Sequence, residues 1–176
     1  NITNSNNYFA FTVPFSTVFT YSNGTETTTS YSTNETINSD SYTVPDDYFL
    51  TEVEIGPAVT TIGVNAFSEA TALTSITVNQ SNTDYKDISG VLFDSSGATL
   101  IQYPAGNTIT TYTIPSSVKS IGQDAFFKAT SLTSIIIPAS VSSIGENAFQ
   151  QSINLTKVTF EAGSQLKSIG QNAFYG

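Results

Sequence analysis

Residues 143–149 read SIGENAF, and near copies of this phrase occur at 61–67 (TIGVNAF), 120–126 (SIGQDAF) and 168–174 (SIGQNAF). Two of the copies, SIGQDAF and SIGENAF, begin 23 residues apart. A catalytic motif is normally present once, whereas a phrase that returns at a regular interval marks a structural unit that stacks on its own copies. We therefore expect the chain to form a repeat solenoid.

One repeat unit is expected to contain a strand, a turn and a short helical segment. In the unit that includes SIGENAF, the alternating Ile135 and Ile137 are typical of a short strand with one face inward. Gly145 is expected to take a positive φ and to turn the chain. Residues 147–150 are predicted to form one helical or 3₁₀ turn that buries Phe149. A single unit cannot bury its own apolar edge, so the copies should stack.

Stacking of the copies in phase leads to two further expectations. The strands of successive units should form one parallel ladder, and their predicted positions are 53–55, 76–78, 112–114, 135–137 and 158–160. The aromatic residues of the repeated phrase should stack as a spine on the other side of the solenoid; they are Phe67, Phe126, Phe149 and Phe174.

The repeat resembles the BspA-like leucine-rich repeat, also called the Treponema pallidum type, which is found in surface proteins of bacteria and some protists. The pattern of that family is similar to Leu-x-x-Leu-x-Leu-Pro-x-x-Leu-x-x-Ile-Gly-x-x-Ala-Phe-x-x-Cys, and residues 42–176 follow it in phase. Small residues fill its Cys position here, namely Ala70, Ala129 and Ser152. The resemblance implies an α/β repeat fold: a short right-handed leucine-rich-repeat superhelix, mostly β with short helical or 3₁₀ turns.

The second unit departs from the pattern after its strand. An inserted β-hairpin is predicted at about 84–104, because the turn sequence DSSG, which begins at Asp94, separates two apolar runs. Together with Asp84 and Asp87, Asp94 also raises the alternative of a calcium site. The spacing lacks the alternating acidic ligands and the closing Glu of a calcium loop, so turn formation is the preferred interpretation.

Residues 1–41 show no repeat and are predicted to form a β-rich N-terminal cap. Asn23-Gly24 favours a tight turn between strands, and an alternating pattern precedes it at Phe9, Phe11, Val13 and Phe15. A solenoid end needs a cover, although a separate ligand-binding module is the alternative. The solenoid would then occupy residues 42–176. Because the sequence begins without Met and ends within a repeat, we expect it to be a segment of a longer protein.

The composition argues against several classes of function. The chain has 14 acidic residues and five Lys, with no Arg, His or Cys, and a formal net charge of −9. Such a chain repels nucleic acid and anionic membrane surfaces, and it lacks the His and Cys of catalytic triads and zinc sites. We predict no catalytic residue, metal site or cofactor, and no enzymatic activity. Glu52 and Glu54 share one face of a predicted strand, which leaves an acid–base pair as the alternative to two solvated charges.

The outward face of the predicted strands is the candidate interaction face. It is either a Ser/Thr ladder suited to an exposed sheet or a shallow recognition surface of the kind that repeat proteins use. Two aromatic residues of the hairpin, Tyr85 and Phe93, are added as candidate anchors. The strand residues are Glu52, Glu54, Ser75, Thr77, Thr111, Thr113, Ser134, Ile136, Lys157 and Thr159.

The resemblance to BspA-like proteins implies a function in interaction. We expect a secreted or cell-surface, adhesin-like module whose partner is an extracellular protein or a component of a host or neighbouring cell surface. No nucleic acid and no membrane insertion of this segment are expected. The alternative is a structural stalk or spacer that displays another domain and has no ligand of its own.

Overall fold

The computed structural model describes residues 16–176 as a solenoid built from short strands. Phe9, Phe11, Val13 and Phe15 lie outside the described residues. Within residues 16–176 the strands are β1 (Thr17–Ser22), β2 (Thr27–Ser32), β3 (Thr36–Ile37), β4 (Phe49–Ile55), β5 (Thr61–Ile62), β6 (Ser75–Val78), β7 (Tyr85–Ile88), β8 (Val91–Asp94), β9 (Thr99–Gln102), β10 (Thr111–Thr113), β11 (Ser120–Ile121), β12 (Ser134–Ile137), β13 (Ser143–Ile144), β14 (Lys157–Phe160) and β15 (Ser168–Ile169).

The repeat units form coils that stack by strand pairing on two sides. On the first side, β4 pairs in parallel with β6, and β10, β12 and β14 form a three-stranded parallel sheet. On the second side, β9, β11, β13 and β15 pair in parallel, as do β3 and β5. Ile121 lies beside Ile144, and Ile144 lies beside Ile169, so the repeated phrases stack in phase as their spacing predicted.

The inward side chains of the strands make the core. Ile135 and Ile137 are fully buried in β12, while the residues that alternate with them are partly exposed, as predicted. The buried side chains form two apolar clusters, one in each half of the solenoid. They meet at β8, where Leu92 packs into the first cluster and Val91 and Phe93 pack into the second. Strand β8 therefore joins two cores through its opposite faces.

The prediction of one parallel ladder is wrong between the second and third coils. Strands β6 and β10 lie in separate sheets. The inserted segment occupies the edge of β6 instead: the Ile76 N–H donates to the Gly90 carbonyl at 2.9 Å, and the Val78 N–H donates to Asp87 Oδ1 at 2.9 Å. Because those donors are engaged by the insert, β6 has no free edge on which β10 could pair.

The insert is a hairpin that returns the chain to the repeat. Strands β7, β8 and β9 are successive antiparallel neighbours. In the DSSG turn, Gly97 has a φ of 74° and its N–H donates to the Asp94 carbonyl at 2.9 Å. Strand β9 then pairs in parallel with β11, with Leu100 beside Ile121. The second coil thus recovers its missing half through sequence that does not resemble the repeated phrase.

The expected helical turn is absent from the described residues. At residues 147–150 the chain forms a turn with Asn147 at φ 53°, and the Phe149 N–H donates to the Ala173 carbonyl of the next coil at 2.7 Å. The same left-handed conformation recurs in the other copies of the phrase, at Asn65, Asp124 and Asn172. Asn and Asp tolerate this conformation better than most residues, and the backbone can then pair between coils rather than within a helix.

The role expected for Gly145 is also wrong, because its φ is not positive. The backbone of the preceding coil lies so close that an added Cβ would meet Gln123 N at 2.5 Å and Gly122 C at 2.6 Å. Gly170 is crowded in the same way by Glu146 and Gly145. The glycine of the phrase therefore permits close approach of neighbouring coils.

Aromatic rings stack along the turns that follow the second-side strands, but they form two groups. Phe126, Phe149 and Phe174 stack with centroid separations of 4.7 and 4.9 Å. Phe67 is not in that stack, which is where the prediction of one spine fails. Tyr103 lies 5.0 Å from Phe126 and occupies the aromatic position of the second coil, while Phe67 lies 6.3 Å from Tyr42 in a separate stack.

The N-terminal residues combine a hairpin with an additional coil. Strands β1 and β2 pair across the Asn23-Gly24 turn, and β1 pairs antiparallel with β4. Residues 36–42, TINSDSY, mimic TIGVNAF: Ile37 lies beside Ile62, and Tyr42 takes the position of the Phe. Residues 36–41, assigned from sequence to the cap, therefore follow the repeat geometry.

Gly145→Ala should lower the free energy of unfolding by about 1–3 kcal/mol, because overpacking forces backbone to move. The matched control is Gly63→Ala in the first copy of the phrase, where the nearest atoms to an added Cβ would be the Ile37 carbonyl oxygen at 3.4 Å and Asn38 Cβ at 3.5 Å, both ordinary contacts. That change should be neutral or slightly stabilising, since Ala restricts the unfolded chain. Urea unfolding of both variants measures the difference, and equal losses would mean that close approach is not what the glycine provides.

Tyr103→Phe should raise the free energy of unfolding by about 1 kcal/mol, because the hydroxyl is buried without a hydrogen-bond partner. Burial also raises the pKa of Tyr103 to about 12. The folded state therefore favours the neutral phenol over the phenolate. The free energy of unfolding should be unaffected by this group below pH 10 and should fall as the pH rises toward 12, because the unfolded chain loses the phenol proton first. Denaturant unfolding at neutral and alkaline pH checks both effects. A loss of stability in the variant would show that the hydroxyl has a partner.

Candidate functional site

The candidate strand face is divided into two patches. In the first, Glu52 lies beside Ser75 and Glu54 lies beside Thr77. The turn at Ser89–Gly90 follows on the other side of Ser75, so close that an added Cβ on Gly90 would meet Ser75 Oγ at 2.8 Å. The expected continuous strip is therefore interrupted, and any partner meets two separate surfaces. The second patch consists of Thr111, Thr113, Ser134, Ile136, Lys157 and Thr159.

The first patch is a small acidic depression of about 260 Å³. Glu52 and Glu54 are exposed on its floor, and within residues 16–176 neither carboxylate has an ion-pair or hydrogen-bond partner. Strand β1 forms one wall, because Val18 lies beside Glu54 and Thr20 lies beside Glu52. The arrangement offers two solvated negative charges with hydroxyl groups on both sides.

Sequence analysis missed the wall that β1 contributes. The alternation of buried Phe19 and Tyr21 with the partly exposed Val18 and Thr20 was present in the sequence. It indicates a strand with one inward face. What the sequence could not show is the antiparallel pairing of β1 with β4, which connects residues 27 to 36 positions apart.

The second patch is more neutral and more varied. Thr111, Thr113 and Lys157 are exposed, whereas Ser134 and Ile136 are partly buried. Threonines just before the strands bind the neighbouring coil rather than solvent, as when Thr133 Oγ1 donates to the Thr110 carbonyl at 3.0 Å and Thr156 Oγ1 donates to the Thr133 carbonyl at 3.3 Å. These two hydroxyls, which do not belong to the candidate face, support the stacking of neighbouring coils.

The hairpin does not present aromatic anchors. Phe93 is fully buried in the core, so it is removed from the candidate interaction face. Tyr85 is partly buried and packs on the first coil, where its hydroxyl accepts the Ile62 N–H at 3.0 Å and donates to the Thr60 carbonyl at 3.3 Å. Because Leu92 and Phe93 belong to the two core clusters, the hairpin is an integral part of the solenoid rather than a protruding surface.

The acidic residues of the insert cap turns and strands. Asp94 Oδ1 accepts the Thr99 N–H at 3.0 Å, and its Oδ2 accepts from Ser96 Oγ at 3.0 Å. Partial burial opposes ionisation, but these hydrogen bonds outweigh it and lower the pKa of Asp94 below its usual value. Asp87 binds the Val78 N–H, as described above. Among residues 16–176 no group of three or more His, Cys, Asp or Glu side chains is placed to hold a metal ion.

The charge of the chain is unevenly distributed along the solenoid. Residues 1–85 contain nine acidic residues and no Lys or Arg, whereas residues 86–176 contain five acidic residues and five Lys. The whole net charge of −9 is thus carried by the half that contains Glu52 and Glu54. One ion pair is found in the described part of the chain, between Lys128 Nζ and Glu69 Oε2 at 3.0 Å, and it joins the two halves. A field of this kind favours approach of a positively charged partner toward the N-terminal half.

The chain is similar to several bacterial proteins of known structure. A leucine rich cell surface protein from Faecalibacterium prausnitzii A2-165 is 32% identical, with 82% of this chain and 43% of that chain covered and a TM-score of 0.65. A leucine-rich repeat protein from Eubacterium ventriosum is 26% identical, with 68% and 41% covered and a TM-score of 0.52. The pneumococcal vaccine antigen PcpA, 24% identical over 69% and 35% of the chains with a TM-score of 0.62, shares the fold.

The chain spans less than half the length of each of these solved structures, and no curated protein matches its sequence. In the described part of the chain, no helix has the length and apolar character needed to cross a membrane. The family described as BspA type leucine rich repeat region matches residues 35–110 and 102–176, with six copies. The chain therefore belongs to the BspA type leucine rich repeat family.

Proposed function

We propose that this segment is the protein-interaction module of a secreted or cell-surface protein, and that it binds a basic extracellular protein through the acidic patch at Glu52 and Glu54. The observation that carries the proposal is the pair of exposed carboxylates on the strand face, which have no ion-pair or hydrogen-bond partner among residues 16–176. Two such charges retain their attraction for an incoming cation, because no partner within the described part of the chain competes for them. The similarity to a leucine rich cell surface protein and to a vaccine antigen supports a location outside the cell.

The surrounding residues favour a protein partner over a small molecule. The depression is small, at about 260 Å³, and its walls are short, mainly polar side chains on three neighbouring strands. Small-molecule sites are usually deeper and more apolar, whereas an open face with hydroxyl groups suits a broad polar contact. Adhesion to a host or neighbouring cell is the corresponding biological role. A stalk that only displays another domain would not need unpaired carboxylates on one face.

The test is binding of the 176-residue chain to a panel of basic and acidic extracellular matrix proteins and to intact cells, followed by charge reversal. Glu52→Lys with Glu54→Lys should weaken binding of a basic partner by about tenfold or more, and high salt should weaken the unaltered chain in the same direction. The matched control is Glu146→Lys with Glu161→Lys, which makes the same change in net charge at two exposed positions of the other half.

The control separates a specific site from a general effect of charge. It should change the affinity by no more than about twofold if the site is local, because exposed charges beyond a Debye length are screened. Equal losses in the two double variants would contradict a site at Glu52 and Glu54. Absence of any partner at micromolar concentrations would favour the stalk.

A further inference from the structure

A second cleft lies away from the strand face, between the loop that precedes β4 and the turn that follows Phe67. It has a volume of about 360 Å³. Its walls are largely apolar and aromatic, and one acidic residue stands at the rim; the residues used below are Tyr42, Val44, Tyr48, Phe49 and Glu69. This cleft plays no part in the function proposed above.

The aromatic side chains of the cleft are held in place, although part of their surface is open. Tyr42 stacks 5.1 Å from Phe19, and its hydroxyl donates to the Ala66 carbonyl at 3.2 Å. The Tyr48 hydroxyl donates to Glu26 Oε2 at 3.0 Å. Phe49 is 59% exposed and Val44 is 40% exposed. Large apolar side chains left in solvent around a formed cleft indicate a surface that a partner covers.

The charge of the cleft specifies what can enter it. Glu69 stands at the rim, and its side chain is 79% exposed. Its partner is Lys128, which reaches across from the other half of the solenoid. No other cation is available nearby in sequence, because residues 1–85 contain neither Lys nor Arg. The Lys128 side chain is 24% exposed, and its Nζ also lies 5.1 Å from the centroid of the Phe127 ring. Lys128 therefore keeps a favourable contact when an external cation takes its place at the exposed Glu69 carboxylate.

We propose that this cleft binds an Arg or Lys side chain of a partner protein, with its aliphatic stem against Phe49 and Val44 and its charged group between the tyrosine rings and Glu69. The volume accommodates one long side chain and its neighbours rather than a folded domain. Aromatic faces attract cations directly, and the stems of Arg and Lys pack on apolar surface while the charged end stays near water. An acidic or purely apolar side chain would lack one of these two contacts.

The test uses two acetylated and amidated peptides, Gly-Ser-Leu-Arg-Leu-Ser-Gly and the same sequence with citrulline in place of Arg. Citrulline keeps the shape and removes the charge. Titration into the ¹⁵N-labelled 176-residue chain should shift the amide resonances of residues 42–50 and 69–72. Binding of the Arg peptide should lie in the millimolar range and be about three- to tenfold tighter than that of the citrulline peptide.

Three variants identify the contacts. Glu69→Gln should weaken the Arg peptide by about threefold or more and leave the citrulline peptide unchanged, while Lys128→Gln should tighten the Arg peptide, because it frees Glu69 from its internal partner. Phe49→Ala should weaken both peptides. The matched controls are Glu146→Gln, an exposed carboxylate of the other half, and Phe160→Ala, an exposed Phe of the same half.

The outcomes are distinct from those of the strand-face experiment. Equal affinity for the two peptides, an unchanged affinity in Glu69→Gln, or shifts confined to residues outside the cleft would each overturn the proposal. Absence of shifts at several millimolar peptide would overturn it as well. Charge reversal at Glu52 and Glu54 leaves the cleft residues intact, so either site can fail without the other.

Discussion

Close stacking of the coil backbones is the constraint on which the rest of this structure depends. The Phe126 N–H donates to the Ala148 carbonyl and the Phe149 N–H donates to the Ala173 carbonyl, both at 2.7 Å, so neighbouring coils are joined by hydrogen bonds even outside their strands. The glycine of the repeated phrase permits this approach, since an added Cβ at Gly145 would overlap the previous coil. The left-handed Asn or Asp and the stacked aromatic rings are consequences of the same spacing. The core is then filled by one set of side chains per coil.

The second coil is where this regularity is interrupted, and the interruption shapes the surface. The insert occupies the edge of β6 and separates the sheet that contains β4 and β6 from the sheet of β10, β12 and β14. The exposed strand face is therefore divided into an acidic patch and a more neutral patch. Strand β8 compensates by burying Leu92 in one core and Phe93 in the other. The division of charge follows the same boundary, because every Lys lies at or beyond residue 86. Both proposed sites lie in the acidic half.

The features that recur in the repeated phrase could be predicted from the sequence. Ile144 and Phe149 are buried as expected, because their phrase recurs in phase. Tyr42 and Tyr103 were missed as repeat residues, because each replaces Phe with Tyr, and only three positions separate Leu100 from Tyr103 where five separate Ile121 from Phe126. The sequence could not distinguish a positive φ from close approach at Gly145, since both require glycine. It predicted that Glu52 and Glu54 share a face, but the wall from β1 and the burial of Phe93 arise from long-range packing.

Native-state hydrogen exchange at Phe67 and Phe149 tests the central claim most directly. Both residues are 2% exposed and occupy the same position of the repeated phrase. They differ in that the Phe149 N–H is bonded to the next coil, whereas the Phe67 N–H has no hydrogen-bond partner among residues 16–176. If backbone stacking holds the coils together, the Phe149 amide should exchange slower than the Phe67 amide by about tenfold or more. Equal exchange rates would show that burial alone protects these positions and would contradict the account.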